Sequence, residues 1–129
     1  MENKVNKMVE VPCTSENFYR LWLSFMIPFH KFTPQVIMIA GELLKHRQRL
    51  SKVISDERIL SKVLLGAEVR NEILKACNCT LSTFRVTINK LKKAKFLVDG
   101  RIEPRFIPNI GDSKTFNVML AFRLKDETE

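Results

Sequence analysis

Glycine and proline are scarce, four and five in 129 residues. Low-complexity and collagen-like chains need far more of both, and stretches free of either favour helix. Cysteine is thin as well. Cys13, Cys77 and Cys79 form an odd set, and Cys77 and Cys79 sit too close together for the usual zinc spacing, with no Cys or His cluster beside them. The thiols are expected to be reduced and packed in a reducing compartment, with no metal. The two histidines, His30 and His46, have no nucleophile near them in sequence, and each is expected at a surface or a helix end. Asp56-Glu57 reads as the acidic first turn of a helix rather than as an acid–base pair. No phosphate-cradling glycine loop and no HExxH is present. An enzyme, a cofactor and a small-molecule substrate therefore find no support. Long apolar runs are also missing. The longest, residues 21–29, is too short to span a bilayer, and the polar, charged opening Met1–Glu10 does not read as a secretory signal. No membrane partner is expected.

What the chain does have is core-forming and basic residues. Hydrophobic residues make up 45%, enough for one domain with a single core. The formal charge is +8, which points to a polyanionic partner. The excess is not spread evenly. Residues 76–105 hold Arg85, Lys90, Lys92, Lys93, Lys95, Arg101 and Arg105 against only Asp99 and Glu103.

Apolar periodicity and capping residues place the elements. Thr14 or Ser15 opens a helix carrying Phe18, Leu21, Trp22, Phe25 and Met26 at i, i+3, i+4, i+7, i+8, and Pro28 ends it. This aromatic helix either covers the core of its own chain or serves as a dimer or partner interface. Thr33-Pro34 starts a helix over residues 34–50. Ser55-Asp56-Glu57 starts another, with Ile59, Leu60, Val63 and Leu64 as its buried stripe and Gly66 as its break. A short helix over residues 68–76 points Val69, Ile73 and Leu74 inward. The turn Cys77-Asn78-Cys79-Thr80 leads into a helix over residues 81–95. There Leu81, Phe84, Ile88 and Leu91 face the core, while Arg85, Val86, Asn89, Lys90 and Lys93 face outward. Asp99-Gly100 predicts a hairpin. Pro104 and Pro108 restrict Arg105-Phe106-Ile107 to an extended segment, and the alternation of Phe116, Val118, Leu120 and Phe122 predicts a final strand over residues 116–124.

The run from Ile73 through the turn to Leu81-Ser82-Thr83-Phe84-Arg85-Val86-Thr87-Ile88-Asn89-Lys90-Leu91-Lys92-Lys93-Ala94-Lys95-Phe96 resembles the core of prokaryotic and phage winged helix-turn-helix proteins. Lys95 stands where that family often has glycine. The resemblance covers residues 33–124. A weaker similarity, to small proteins of tailed bacteriophages, is carried by Lys52–Glu57 and Phe96–Pro108. The implied fold is mainly α with a small β-hairpin, a winged helix-turn-helix over residues 33–129 behind an N-terminal arm and aromatic helix over residues 1–32. The implied partner is double-stranded DNA, bound by a transcriptional regulator or replication accessory. Ser82, Thr83, Arg85 and Asn89 sit at the end of the helix that reaches base edges in the major groove, with Arg85 suited to guanine and Asn89 to adenine. Lys90, Lys92, Lys93 and Lys95 suit phosphates, and Arg101 and Arg105 extend the basic surface. The alternative is a structural module of a phage particle that uses the scaffold for protein contacts, with Phe18, Leu21, Trp22, Phe25 and Met26 as the interface of a homo-oligomer or larger assembly. The expected location is the cytoplasm of a prokaryotic or phage-infected cell, or for the alternative a virion.

Overall fold

The computed structural model describes residues 9–25, 32–110 and 115–118. Five helices and one two-stranded antiparallel hairpin make up its regular elements: α1 (Phe18–Phe25), α2 (Pro34–Ser51), α3 (Glu57–Leu64), α4 (Ala67–Cys77), α5 (Leu81–Lys93), β1 (Leu97–Val98) and β2 (Arg101–Ile102). A 3₁₀ turn follows at Pro104–Phe106.

Helix α2 is the hub. It starts where a cap residue precedes proline: the Thr33 hydroxyl accepts from the Val36 N–H at 3.3 Å, and Pro34 has no N–H to satisfy. Val36, Ile37, Ile39, Ala40, Leu43 and Leu44 bury most of its circumference, as a helix surrounded by others must. Helices α1, α3, α4 and α5 all pack against it. Gly41 marks the closest approach of α1, where a Cβ would lie 3.2 Å from Cγ of Arg20.

In α1 the inward residues are Tyr19 and Leu23. Phe18 and Trp22 are half-buried and packed on the same core. The Trp22 indole N–H donates to the Phe106 carbonyl at 2.8 Å. Leu21 and Phe25 remain exposed, and Met26 and His30 lie outside the described residues. The apolar stripe expected of this helix is therefore split between the chain's own core and the solvent.

Helix α3 departs from expectation in the same way. Asp56 caps it through hydrogen bonds from the Arg58 and Ile59 N–H groups. With two turns and contacts only to α2 and α4, it buries a single line, Leu60 and Leu64, leaving Ile59 and Val63 exposed. Gly66 is the N-cap of α4. Helix α4 buries Val69, Ile73 and Cys77 at i, i+4, i+8 and keeps Leu74 half-buried.

Helices α4 and α5 close by one device. Asn78, at φ 48°, lets the Cys79 N–H reach the Leu74 carbonyl at 3.1 Å. Lys95, at φ 65°, lets the Phe96 N–H reach the Leu91 carbonyl at 2.9 Å. Both are left-handed caps of the Schellman type. The second ends α5 at Lys93, two residues earlier than the periodicity predicts.

The hairpin pairs Leu97 with Ile102 and Val98 with Arg101 across Asp99-Gly100, both at positive φ. Leu97 and Ile102 point inward; Val98 and Arg101 point out. Arg105-Phe106-Ile107, expected to be extended, instead begins in the 3₁₀ turn, because Pro104 supplies the starting φ and Phe106 is drawn into the core. There Phe106 lies 5.1 Å from the Phe96 ring and 6.0 Å from that of Phe32, centre to centre. Residues 115–118 form no strand. Phe116 instead meets Phe18 and Trp22 edge-on at 5.5 and 5.4 Å, and the rest of the expected strand lies outside the described residues.

Candidate nucleic-acid interface

Helix α5 is held by one face. Phe84, Thr87 and Leu91 are buried, and Leu81 and Ile88 are half-buried. Thr87 adds a polar residue to the expected apolar stripe, and its hydroxyl stays satisfied by donating to the Thr83 carbonyl at 2.9 Å. The N-terminus is fixed by Thr80, whose hydroxyl accepts from the Thr83 N–H at 3.1 Å. No acidic residue lies in the first turn of α5, unlike α3 with Glu57 and α4 with Glu68. The positive end of the helix dipole is thus left without a side-chain anion.

All ten residues that the sequence assigns to nucleic-acid contact are exposed: Ser82, Thr83, Arg85, Asn89, Lys90, Lys92, Lys93, Lys95, Arg101 and Arg105. They are not all gathered on one surface. Ser82, Arg85, Asn89 and Lys93 run along the outward side of α5, with Lys90 and Lys92 at its margins. Lys92 also edges a groove of about 230 Å³ formed with Phe84, Ile88, Leu97 and the turn residue Gly100, so the hairpin tip lies beside the C-terminal half of α5. Arg101 belongs to a different hollow. It lines an open cleft of about 570 Å³ together with Arg47, Gln48, Glu57 and Glu103. Arg105 lies over the Phe106 ring at 4.8 Å, a cation–π contact that holds it at the 3₁₀ turn.

The charges on α5 are distinguished by their lack of partners. Among the described residues every ion pair has one member on α2. Arg20 meets Glu42, Lys45 meets Glu16, Arg47 meets Glu57, and His46 and Arg49 both meet Glu72. No carboxylate pairs with Arg85, Lys90, Lys92, Lys93 or Lys95. A second basic run, Lys45 to Lys52, is as dense in sequence, but acids distant in the chain cover most of it. Nothing local in the sequence marks that difference.

Two expectations about single residues are corrected. His46 is buried rather than at a surface. Its Nδ1 is 2.7 Å from an Arg49 nitrogen and 3.5 Å from a Glu72 oxygen, and burial first, then the Arg49 charge, holds its pKa below 6.5. Of the cysteines, expected all to be packed, only Cys77 is buried. Cys13 is exposed and Cys79 half-buried, and all three are free. Burial pushes the Cys77 thiol up to about 11, far from the thiolate a nucleophile needs. No cluster of three or more possible metal ligands occurs among the described residues, and no helix among them is long and apolar enough to cross a membrane. No family model, curated protein or solved structure matches the chain.

Proposed function

We propose that this chain is a non-enzymatic winged helix-turn-helix module that binds double-stranded DNA, with α5 as recognition helix and the β1–β2 hairpin as wing. The observation that carries this reading is the run of exposed, unpaired cations on α5. A helix fits the major groove, and cations along its margins meet the phosphates on either side. Leaving five like charges unpaired on one short element destabilises the free protein, and a polyanion relieves that repulsion. Arg85 and Asn89 then face base edges, while Lys90, Lys92 and Lys95 set register on the backbone. The reading fits a transcriptional regulator or replication accessory.

The test is duplex affinity measured at two salt concentrations. Wild type should bind more weakly as salt rises. Arg85→Ala/Lys90→Ala should flatten the plot of log K against log salt by about 2, since each lost phosphate contact is worth about 0.9 in slope. Equal binding by both proteins, or no binding by wild type at low salt, refutes the reading.

A second reading, a contact module of a larger assembly, is supported by α1, where Leu21 is 40% and Phe25 46% exposed. The interface narrows to these two, since Phe18 and Trp22 are engaged by their own chain. Leu21→Ser/Phe25→Ser should lower the mass seen in sedimentation if α1 joins copies. A monomer before and after the change removes that reading.

A further inference from the structure

The outward side of α5 contains one residue that does not fit a purely polar interface. At 3.6 residues per turn, the line opposite Phe84, Thr87 and Leu91 is Ser82, Val86, Asn89 and Lys93. Val86 is 52% exposed. A lone exposed valine is ordinary on a protein surface, so exposure by itself decides nothing. Its setting does. The residues one turn away on the helix surface, Ser82, Thr83, Asn89 and Lys90, are all polar, so the apolar patch on this helix is one side chain wide. That is too small to seat another protein, yet it stands midway along the face assigned above to base edges.

The major groove presents one apolar group, the C5-methyl of thymine. Valine suits it. In a helix its χ1 is held in one rotamer about 90% of the time, so its methyls are presented with little entropy left to lose. Resting on the reading of α5 as a major-groove helix, we infer that Val86 is a specificity-determining residue that packs against a thymine methyl. Bound duplexes then carry thymine at the position beneath Val86, between the bases approached by Arg85 and Asn89.

Removing the methyl alone tests this. Duplexes are selected by wild type from a random-sequence library, and the enriched pool is copied with dUTP in place of dTTP, so that each thymine loses only its C5-methyl. Wild type should bind the uracil copy roughly fourfold more weakly, the worth of one buried methyl group. Val86→Ala should bind the thymine copy correspondingly less well and bind the two copies alike. Because Val86 is outside the core, the variant's thermal melt should match that of wild type. If duplex binding keeps its salt dependence but no sequence is enriched, or if both proteins respond equally to the missing methyl, the thymine contact is overturned while the DNA reading stands. If no salt-dependent binding occurs in any arm, both fall together.

Discussion

Helices α2 and α5 both carry dense basic runs, and the fold treats them in opposite ways. On α2, Lys45, Arg47 and Arg49 meet Glu16, Glu57 and Glu72. On α5, Arg85, Lys90, Lys92 and Lys93 meet no carboxylate among the described residues, and all are exposed. Charge along a sequence therefore does not identify a polyanion site. Charge left after folding has paired what it can reach does. The two helices also differ in burial, since α2 is enclosed by four other helices while α5 is gripped along one side. One organises the core and the other is left available.

The comparison breaks first at binding. Removing Lys90, Lys92 and Lys93 together as alanines should cost roughly a hundredfold or more in duplex affinity near 0.1 M salt, with a salt slope shallower by about 3. The matched change on α2, Lys45→Ala/Arg49→Ala, should leave affinity within severalfold. Titration of a labelled duplex reads both. Equal losses would mean that pairing does not govern availability.

Freeing the cations of α2 should sharpen it. In Glu57→Gln/Glu72→Gln, Arg47 and Arg49 lose the carboxylates that hold them, and their partly exposed pairs are worth about 0.2–1 kcal/mol each. The expected result is a slightly lower melting temperature together with later elution from heparin. Unchanged elution would show that burial, not pairing, keeps α2 from polyanions.

A smaller effect concerns pH. The His46 imidazole is held below its ordinary 6.5 by burial and by the cations Arg49 and Lys45, against the opposing pull of Glu72 and Glu42. The folded state thus prefers neutral His46, and the unfolded chain takes up the proton first as pH falls. Stability from this group is present above about pH 6.5 and declines as pH drops below it. His46→Gln should flatten the urea midpoint between about pH 7.5 and about pH 5.5. A slope that survives the substitution assigns the proton to another group.

These contrasts also explain what could be read beforehand. Features written in adjacent residues were legible: the Thr33-Pro34 helix start, the left-handed Asn78, the Asp99-Gly100 turn, and the outward residues of α5. Features that depend on what lies across the fold were not. The contact of Lys45 with Glu16 joins residues 29 apart, and that of Trp22 with Phe106 joins residues 84 apart. Which line of α3 would be buried depended on the neighbours of a two-turn helix, and periodicity alone could not separate Ile59 from Leu60. The candidate site was legible because a one-sided helix declares its free face through its own pattern.

Lys95 joins the two kinds of information, and its prediction has the smallest expected effect. At φ 65° a non-glycine residue costs roughly 1–2 kcal/mol. Glycine there would relieve that cost while giving back roughly 0.5–1 kcal/mol through the greater freedom of the unfolded chain. Lys95→Gly should therefore stabilise the protein by about 0.5 kcal/mol, a rise of a few degrees in melting temperature. A strained lysine retained beside four other unpaired cations makes sense if its charge is used. The same variant should then bind duplex severalfold more weakly near 0.1 M salt, with a slope shallower by about 0.9. Greater stability with undiminished binding would confine Lys95 to closing the helix and move the edge of the interface back to Lys93.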